Sequence, residues 1–130
     1  MRAILSPDDL KSGDLLDPTW YPVEITDYEE KDAETDGSTN CIFTFSILDG
    51  QNKGTTVTKL VNEKPKALGH RSIRPFWEAL KIPKRTDGGY EFSTDLFKQS
   101  IGRKLMIYIK RGKSNKGNEF NDVTDFKPLT

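Results

Sequence analysis

The sequence predicts an all-β domain with one main helix, because most of its apolar residues alternate with polar ones. The alternation occurs in five short runs, and side chains that alternate in this way share one face of a strand. After the third run, the apolar spacing changes to the i, i+3, i+4, i+7 pattern of an amphipathic helix. At 130 residues, the chain has the length of one small domain.

Three strands are predicted ahead of the helix. Their bounds are Trp20 to Tyr28, Cys41 to Leu48 and Thr55 to Val61. The acidic stretch 29–40 is predicted to be a loop, and the turn-forming run 49–54 predicts a hairpin between strands two and three. Residues 1–19 are predicted to form an irregular arm with a short helix that starts at Ser6.

The main helix is predicted from the apolar residues Ile73, Phe76, Trp77 and Leu80. Ser72 is a candidate cap, and the Ile82-Pro83 step should end the helix.

A short helical turn is predicted over 94–100, with Leu96, Phe97 and Ile101 pointing inward. Strand four follows from Lys104 to Lys110, and strand five from Glu119 to Phe126. Val123 and Phe126 do not alternate strictly, which predicts a bulge in strand five.

Three strands, a helix and two further strands follow one another in the order of the OB-fold, a five-stranded Greek-key barrel. Barrel closure would also protect the edges of such short strands. We therefore expect a single OB-fold domain over residues 20–130 behind the arm 1–19. A plain sheet covered by one helix would give the same order of elements.

The composition argues against several classes of protein. The single cysteine, Cys41, cannot form an internal disulfide and is expected to be a small buried apolar residue in a reducing, cytoplasmic setting. No apolar run is long enough to span a membrane. His70 is the only histidine, and no metal-ligand spacing or nucleophile motif accompanies it. We expect no catalytic residues, no cofactor and no metal.

Charge is divided unevenly along a chain whose net charge is zero. The first 36 residues hold eleven acidic and three basic residues, whereas residues 98–116 hold seven basic residues and no acidic one. Because phosphate groups dominate the affinity of proteins for nucleic acids, the second stretch predicts a phosphate-binding hairpin. Lysines at a hairpin tip also serve as ordinary edge protection.

The candidate nucleic-acid-binding residues are aromatic or basic. Tyr108, with Phe120 or Trp20, is predicted to stack on bases. The basic candidates are Lys59, Arg103, Lys104, Lys110, Arg111, Lys113 and Lys116. Phe120 could instead lie in the core, Trp20 could plug the N-terminal end, and Tyr108 could belong to a dimer interface.

Several short motifs suggest a relationship. They are Asp17-Pro18 with Trp20-Tyr21-Pro22-Val23-Glu24-Ile25, then Asn40 to Ile47 with Gly50 and Gly54, Ile101-Gly102-Arg103-Lys104, and Gly117 to Val123 with Asp125, Phe126 and Pro128. In order and spacing they resemble small phage-encoded proteins that accompany replication and recombination genes. That resemblance implies an OB-type single-stranded-DNA-binding protein. The chain lacks the acidic C-terminal tail of many such proteins, and its acidic N-terminal part is a candidate substitute for recruiting partners.

Two functional hypotheses follow. The first is a non-enzymatic, sequence-tolerant protein that binds single-stranded DNA in replication or recombination, together with proteins of those processes and without a membrane partner. The second is a protein–protein adaptor on the same fold, with Met106 and Tyr108 as an apolar interface. The oligomeric state stays open between monomer and dimer.

Overall fold

The computed structural model describes residues 15–33 and 36–129. It contains five strands, β1 (Thr19–Asp32), β2 (Thr39–Ile47), β3 (Thr56–Asn62), β4 (Lys104–Lys113) and β5 (Glu119–Pro128), and three short helices, α1 (Pro65–Leu68), α2 (Arg74–Ala79) and α3 (Thr94–Gln99). The predicted helix at Ser6 and the first part of the arm lie outside the described residues. None of the described helices is long and apolar enough to cross a membrane.

The strands form one antiparallel sheet in the order β3-β2-β1-β4-β5. The prediction of a mostly β fold is confirmed. The expected closed barrel is not found, because β3 and β5 are the two edge strands and no backbone ladder between them occurs in the described part of the chain. The sheet is therefore open along one side.

Helix α2 covers part of that open side with aromatic side chains. The Phe76 ring stacks on Phe126 of β5, with ring centroids 4.5 Å apart, and meets Phe43 of β2 edge-on at 4.9 Å. The indole of Trp77 donates a hydrogen bond to the Leu68 carbonyl, which ties α2 to α1. The helix thus joins the edge strand β5 to β2 through one aromatic cluster.

The core lies on the inner face of the sheet, where the strands place alternate residues. Cys41 is buried there, as predicted. Its neighbours in the strands are Val23, Ile25, Phe43, Phe45, Ile47, Leu105, Ile107, Ile109 and Val123, all nearly inaccessible to solvent.

The helical region is less regular than predicted. The main helix is present only as the short α2, and α1 ahead of it was not predicted. Helix α2 ends before Lys81, which adopts a left-handed conformation (φ 57°) that breaks helical hydrogen bonding. Ser72 does not cap α2; its hydroxyl lies 2.7 Å from Nδ1 of His70. The short turn at 94–100 is confirmed as α3, but Ile101 is 44% exposed rather than inward.

Of two sequence predictions about strand pairing, the structure confirms one and corrects the other. The predicted bulge in strand five is confirmed: the β4–β5 register shifts after Tyr108, so that Val123 and Phe126 both reach the core. The predicted loop 29–40 was wrong at both ends, because β1 continues to Asp32, β2 begins at Thr39, and these two residues pair. Pairing with β2 stabilises this polar segment as strand despite its charge.

We expect Phe76→Ala to lower the free energy of unfolding by about 3–5 kcal/mol, because it removes a fully buried ring from the cluster that bridges the open sheet. Chemical denaturation measures this loss. Leu60→Ala, at a residue that is 53% exposed, is the control and should cost less than about 1 kcal/mol. Equal losses in the two variants would contradict the assignment of Phe76 to the core.

Candidate nucleic-acid interface

The alternation of β4 creates a second, outward-facing surface. Leu105, Ile107 and Ile109 are buried, so the residues between them point away from the core. Register then places partners from β1 and β5 beside them. We call this surface the β4 face; it consists of Trp20, Pro22, Glu24, Lys104, Met106, Tyr108, Lys110, Gly112, Phe120, Asp122, Asp125 and Lys127.

Two predicted stacking residues meet on the β4 face. Trp20 and Tyr108 are cross-strand partners whose ring centroids lie 5.5 Å apart at an interplanar angle of 80°. Both are only half-buried. The Lys127 ammonium lies 4.2 Å from the centroid of the Trp20 ring, a cation–π contact that places positive charge beside the pair.

Phe120 lies on the same face, near the tip of the β4–β5 hairpin. It is 45% exposed, so the alternative placement in the core is wrong. Its ring covers Gly112, its cross-strand partner, and a Cβ atom added to Gly112 would come within 2.5 Å of that ring. The glycine allows the ring to lie against the strand, which holds one ring face and leaves part of the ring accessible.

The predicted basic residues do not form a single cluster. Lys110 lies on the β4 face, whereas Arg111 and Lys113 have the opposite phase on the strand. Lys116 is exposed in the hairpin turn. Arg103 and Lys104 are at the other end of β4, with Lys104 about 20 Å from Lys110 along the strand. Lysines of the β4 face are therefore spaced along it.

Acidic residues lie opposite two of the hairpin lysines. The β4–β5 register pairs Lys110 with Asp122 and Lys113 with Glu119. Opposite charges across a ladder attract each other, so the positive field of the hairpin is weaker than residues 98–116 alone suggested.

Arg111 is engaged with the segment that leads into β1. Its Nε donates to the Leu16 carbonyl at 3.4 Å, and its Nη2 lies 3.5 Å from a carboxylate oxygen of Asp17. The Leu16 amide in turn donates to the side-chain oxygen of Asn121. Leu16 is buried in the core, so the plug at this end of the sheet is Leu16 rather than Trp20.

Lys59 is not where the sequence placed it. We expected it on the outer surface of strand three, but it shares its phase with the buried residues Val57 and Val61. Its ammonium donates to the Val123 carbonyl of β5 at 2.9 Å. Lys59 therefore links the two edge strands, and its role as a phosphate ligand has no support from its position.

Lys127 is a residue of the β4 face that the sequence interpretation missed. The predicted strand five stopped at Phe126, one residue too early. The predicted bulge could have located it: with Phe126 in the core after the shift of phase, alternation places Lys127 on the outer face.

The family model for DUF669, described as a protein of unknown function, matches residues 8–130. The chain belongs to this family. The match begins inside the predicted arm 1–19, so the DUF669 domain includes residues ahead of β1 as well as all five strands. A comparison with curated proteins finds no match.

A second polar group of the DUF669 domain lies where β1 meets α3. The Tyr28 and Thr94 hydroxyls both donate to the same oxygen of Glu30, each at 2.7 Å. The hydrogen bond from Thr94 is the larger cause and that from Tyr28 the smaller; together they hold the pKa of Glu30 below its ordinary value. Burial raises the pKa of the nearby Tyr28 and Cys41, so the thiol stays protonated at neutral pH.

The lowered pKa of Glu30 has a consequence for stability. A carboxylate with a depressed pKa in the folded state stabilises the fold above its unfolded pKa of about 4.3, and this contribution is lost as the pH falls through the folded value. We expect Glu30→Gln to lose less stability than the wild type between neutral pH and about pH 3. The difference should be below about 1 kcal/mol because Glu30 is exposed.

Denaturation at several pH values tests this expectation. Thr94→Val, which removes the main donor but leaves that of Tyr28, should show a pH dependence between those of Glu30→Gln and the wild type. Thr58→Val, on the outer surface of β3, is the control and should follow the wild type. A Glu30→Gln profile parallel to that of the wild type would refute the proposed linkage.

Proposed function

We propose that this protein binds single-stranded DNA across the β4 face, with little sequence preference and without catalysis. One observation carries the proposal: three aromatic side chains outside the core share a face with three lysines. The residues are Trp20, Tyr108, Phe120, Lys104, Lys110 and Lys127. Rings of this kind stack on any base, and lysines neutralise the phosphates between them.

The order of these groups along β4 suits an extended strand of DNA. Phe120 covers Gly112 at one end, and the Trp20–Tyr108 pair lies four residues further along β4, about 13 Å away. Lys110 stands between the two aromatic positions. A DNA strand that stacks one base at each position would pass its phosphates beside the Lys110 ammonium.

Acidic residues on the same face favour stacking as the main source of affinity. Asp122 and Asp125 lie beside Lys110 and Tyr108 in the β5 register, and the whole chain carries no net charge. With about three lysines engaged, the logarithm of the binding constant should fall with the logarithm of salt concentration with a slope of about −2. This is a modest salt dependence for a DNA-binding protein.

The same proposal extends to fold and setting. We propose that the open sheet is an OB-type barrel, since that fold is a five-stranded, partly open barrel known for binding oligonucleotides. The similarity of the sequence motifs to phage proteins supports a role in DNA replication or recombination.

The alternative, an adaptor that uses Met106 and Tyr108 as a protein interface, makes the same surface bind protein instead of DNA.

We expect Tyr108→Ala and Phe120→Ala each to weaken binding to oligo-dT by about 5- to 150-fold, the equivalent of 1–3 kcal/mol per stacked base. Fluorescence anisotropy of a labelled oligonucleotide at fixed salt measures this change. Tyr90→Ala is the matched control, since Tyr90 is a half-exposed aromatic outside the β4 face. Wild-type affinity in both test variants, with folding intact, would exclude the β4 face as the DNA site.

Lys110→Ala should reduce the magnitude of the salt slope by about 0.7, because it removes one phosphate contact. Lys66→Ala on α1 should leave the slope unchanged. Titrations of oligo-dT at several salt concentrations give both slopes. If Lys110→Ala with Arg111→Ala and Lys113→Ala alters self-association while DNA binding stays at the wild-type level, the adaptor hypothesis is favoured instead.

A further inference from the structure

A groove remains between the two edge strands of the sheet. Every neighbouring pair in the sheet is antiparallel, so the direction alternates from strand to strand along the order β3-β2-β1-β4-β5. The two edge strands, β3 and β5, therefore run in the same direction. The Lys59–Val123 bond crosses the gap at its middle, and Phe76 of α2 stacks on Phe126 beyond it. The other half is an open groove of about 570 Å³, which we call the seam groove.

The lining of the seam groove comes from both edge strands and from the segment before β1. Strand β3 contributes residues 56–60, β5 contributes residues 119–122, and Leu15 comes from the segment before β1.

The backbone of β3 points into the seam groove at alternate residues. The Ile47 amide donates to the Thr55 carbonyl at 3.0 Å, and the Glu63 amide donates to the Thr39 carbonyl at 2.9 Å. Hydrogen-bonded pairs alternate along an antiparallel ladder, so odd-numbered residues of β3 face β2. The amide and carbonyl groups of Thr56, Thr58 and Leu60 therefore face the groove.

The backbone of β5 follows the same rule from the other side. The Ser114 amide donates to the Asn118 carbonyl at 2.9 Å, which sets the alternation of the β4–β5 ladder. Glu119, Asn121 and Val123 then direct their backbone groups away from β4. The Val123 carbonyl that receives the Lys59 ammonium confirms this direction.

The side chains around the groove are apolar and acidic. Leu15, Leu60 and Phe120 are 42%, 53% and 45% exposed. Glu119 and Asp122 add two carboxylates, while the one lysine of the lining donates to the Val123 carbonyl. A phosphate backbone would meet these carboxylates unfavourably, whereas a polypeptide with basic side chains would complement them.

We propose that the seam groove binds an extended segment of a partner protein that alternates apolar and basic residues, and that this segment adds as a strand to the edge of β3. Strand addition of this kind draws affinity from main-chain hydrogen bonds and specificity from alternate side chains. Because β3 and β5 run in the same direction, a segment that adds antiparallel to β3 also runs opposite in direction to β5. This protein-binding site adjoins the DNA site proposed for the β4 face and shares Phe120 and Asp122 with it.

Two blocked peptides test the proposal: one alternates valine with lysine, and the other alternates valine with glutamate. Each is titrated into the isotope-labelled full chain and followed through backbone amide NMR shifts. We expect the lysine peptide to shift amides of residues 56–60 and 119–123, and to bind at least about tenfold more tightly than the glutamate peptide. Equal binding of the two peptides, or binding of neither, would overturn the proposal.

A matched pair of variants separates strand addition from side-chain contact. Thr58→Pro removes an amide that faces the groove but leaves the ladder to β2 intact, since proline is tolerated on the free side of an edge strand. Thr58→Ala keeps that amide. We expect Thr58→Pro to weaken binding of the lysine peptide at least about tenfold and Thr58→Ala by no more than about twofold. Similar losses in both variants would rule out strand addition.

A charge reversal provides an independent measurement if Thr58→Pro destabilises the fold. Glu119→Lys combined with Asp122→Lys should reverse the preference between the two peptides. An unchanged preference would refute the proposed charge complementarity between the groove and the peptide. Oligo-dT binding in the same variants distinguishes the two sites: it should survive Thr58→Pro and be weakened by Tyr108→Ala, with the opposite pattern for the lysine peptide.

Two other occupants of the groove would also overturn the proposal. If oligo-dT shifts the amides of residues 56–60 and Thr58→Pro weakens that binding, the groove takes nucleic acid. If sedimentation shows that the wild type dimerises and that Thr58→Pro makes it monomeric, the occupant of the edge is a second copy of the chain.

Discussion

The antiparallel pairing of β4 with β1 on one side and β5 on the other is the constraint on which the structure depends. It fixes Leu105, Ile107 and Ile109 in the core and turns the residues between them outward. A slip of one residue would exchange the two faces. The bulge after Tyr108 completes this arrangement, because it returns β5 to a phase in which Val123 and Phe126 both reach the core.

Within residues 15–33 and 36–129, charges are more evenly distributed in space than in sequence. Asp17, just ahead of β1, pairs with Arg111 of the basic hairpin, and β5 supplies carboxylates opposite two lysines of β4. The β4 face therefore combines exposed aromatic rings with charges of both signs. If this surface binds DNA as we propose, its affinity should depend less on salt than that of a purely basic surface, since salt screens ion pairs.

The alternation of apolar and polar residues along the sequence predicted the strands and the face on which most of their side chains lie. The five strands, the buried Cys41 and the bulge all follow from the alternation of side chains. Barrel closure did not follow, because alternation assigns a residue to a face and carries no information on whether two edges pair. Lys59 illustrates a second limit: it was predicted on the outer surface of strand three, but it shares the phase of Val57 and Val61, and its ammonium donates to β5.

The candidate site was predictable in part for the same reason. The outward positions of Tyr108 and Lys110 follow from the strand period, whereas the exposure of Phe120 depends on Gly112 across the ladder. Leu16, which holds the leading segment to the sheet, lies outside any periodic run. Because Leu16 is buried and β1 begins at Thr19, an inserted or deleted residue in the short link between them should draw Leu16 out of the core.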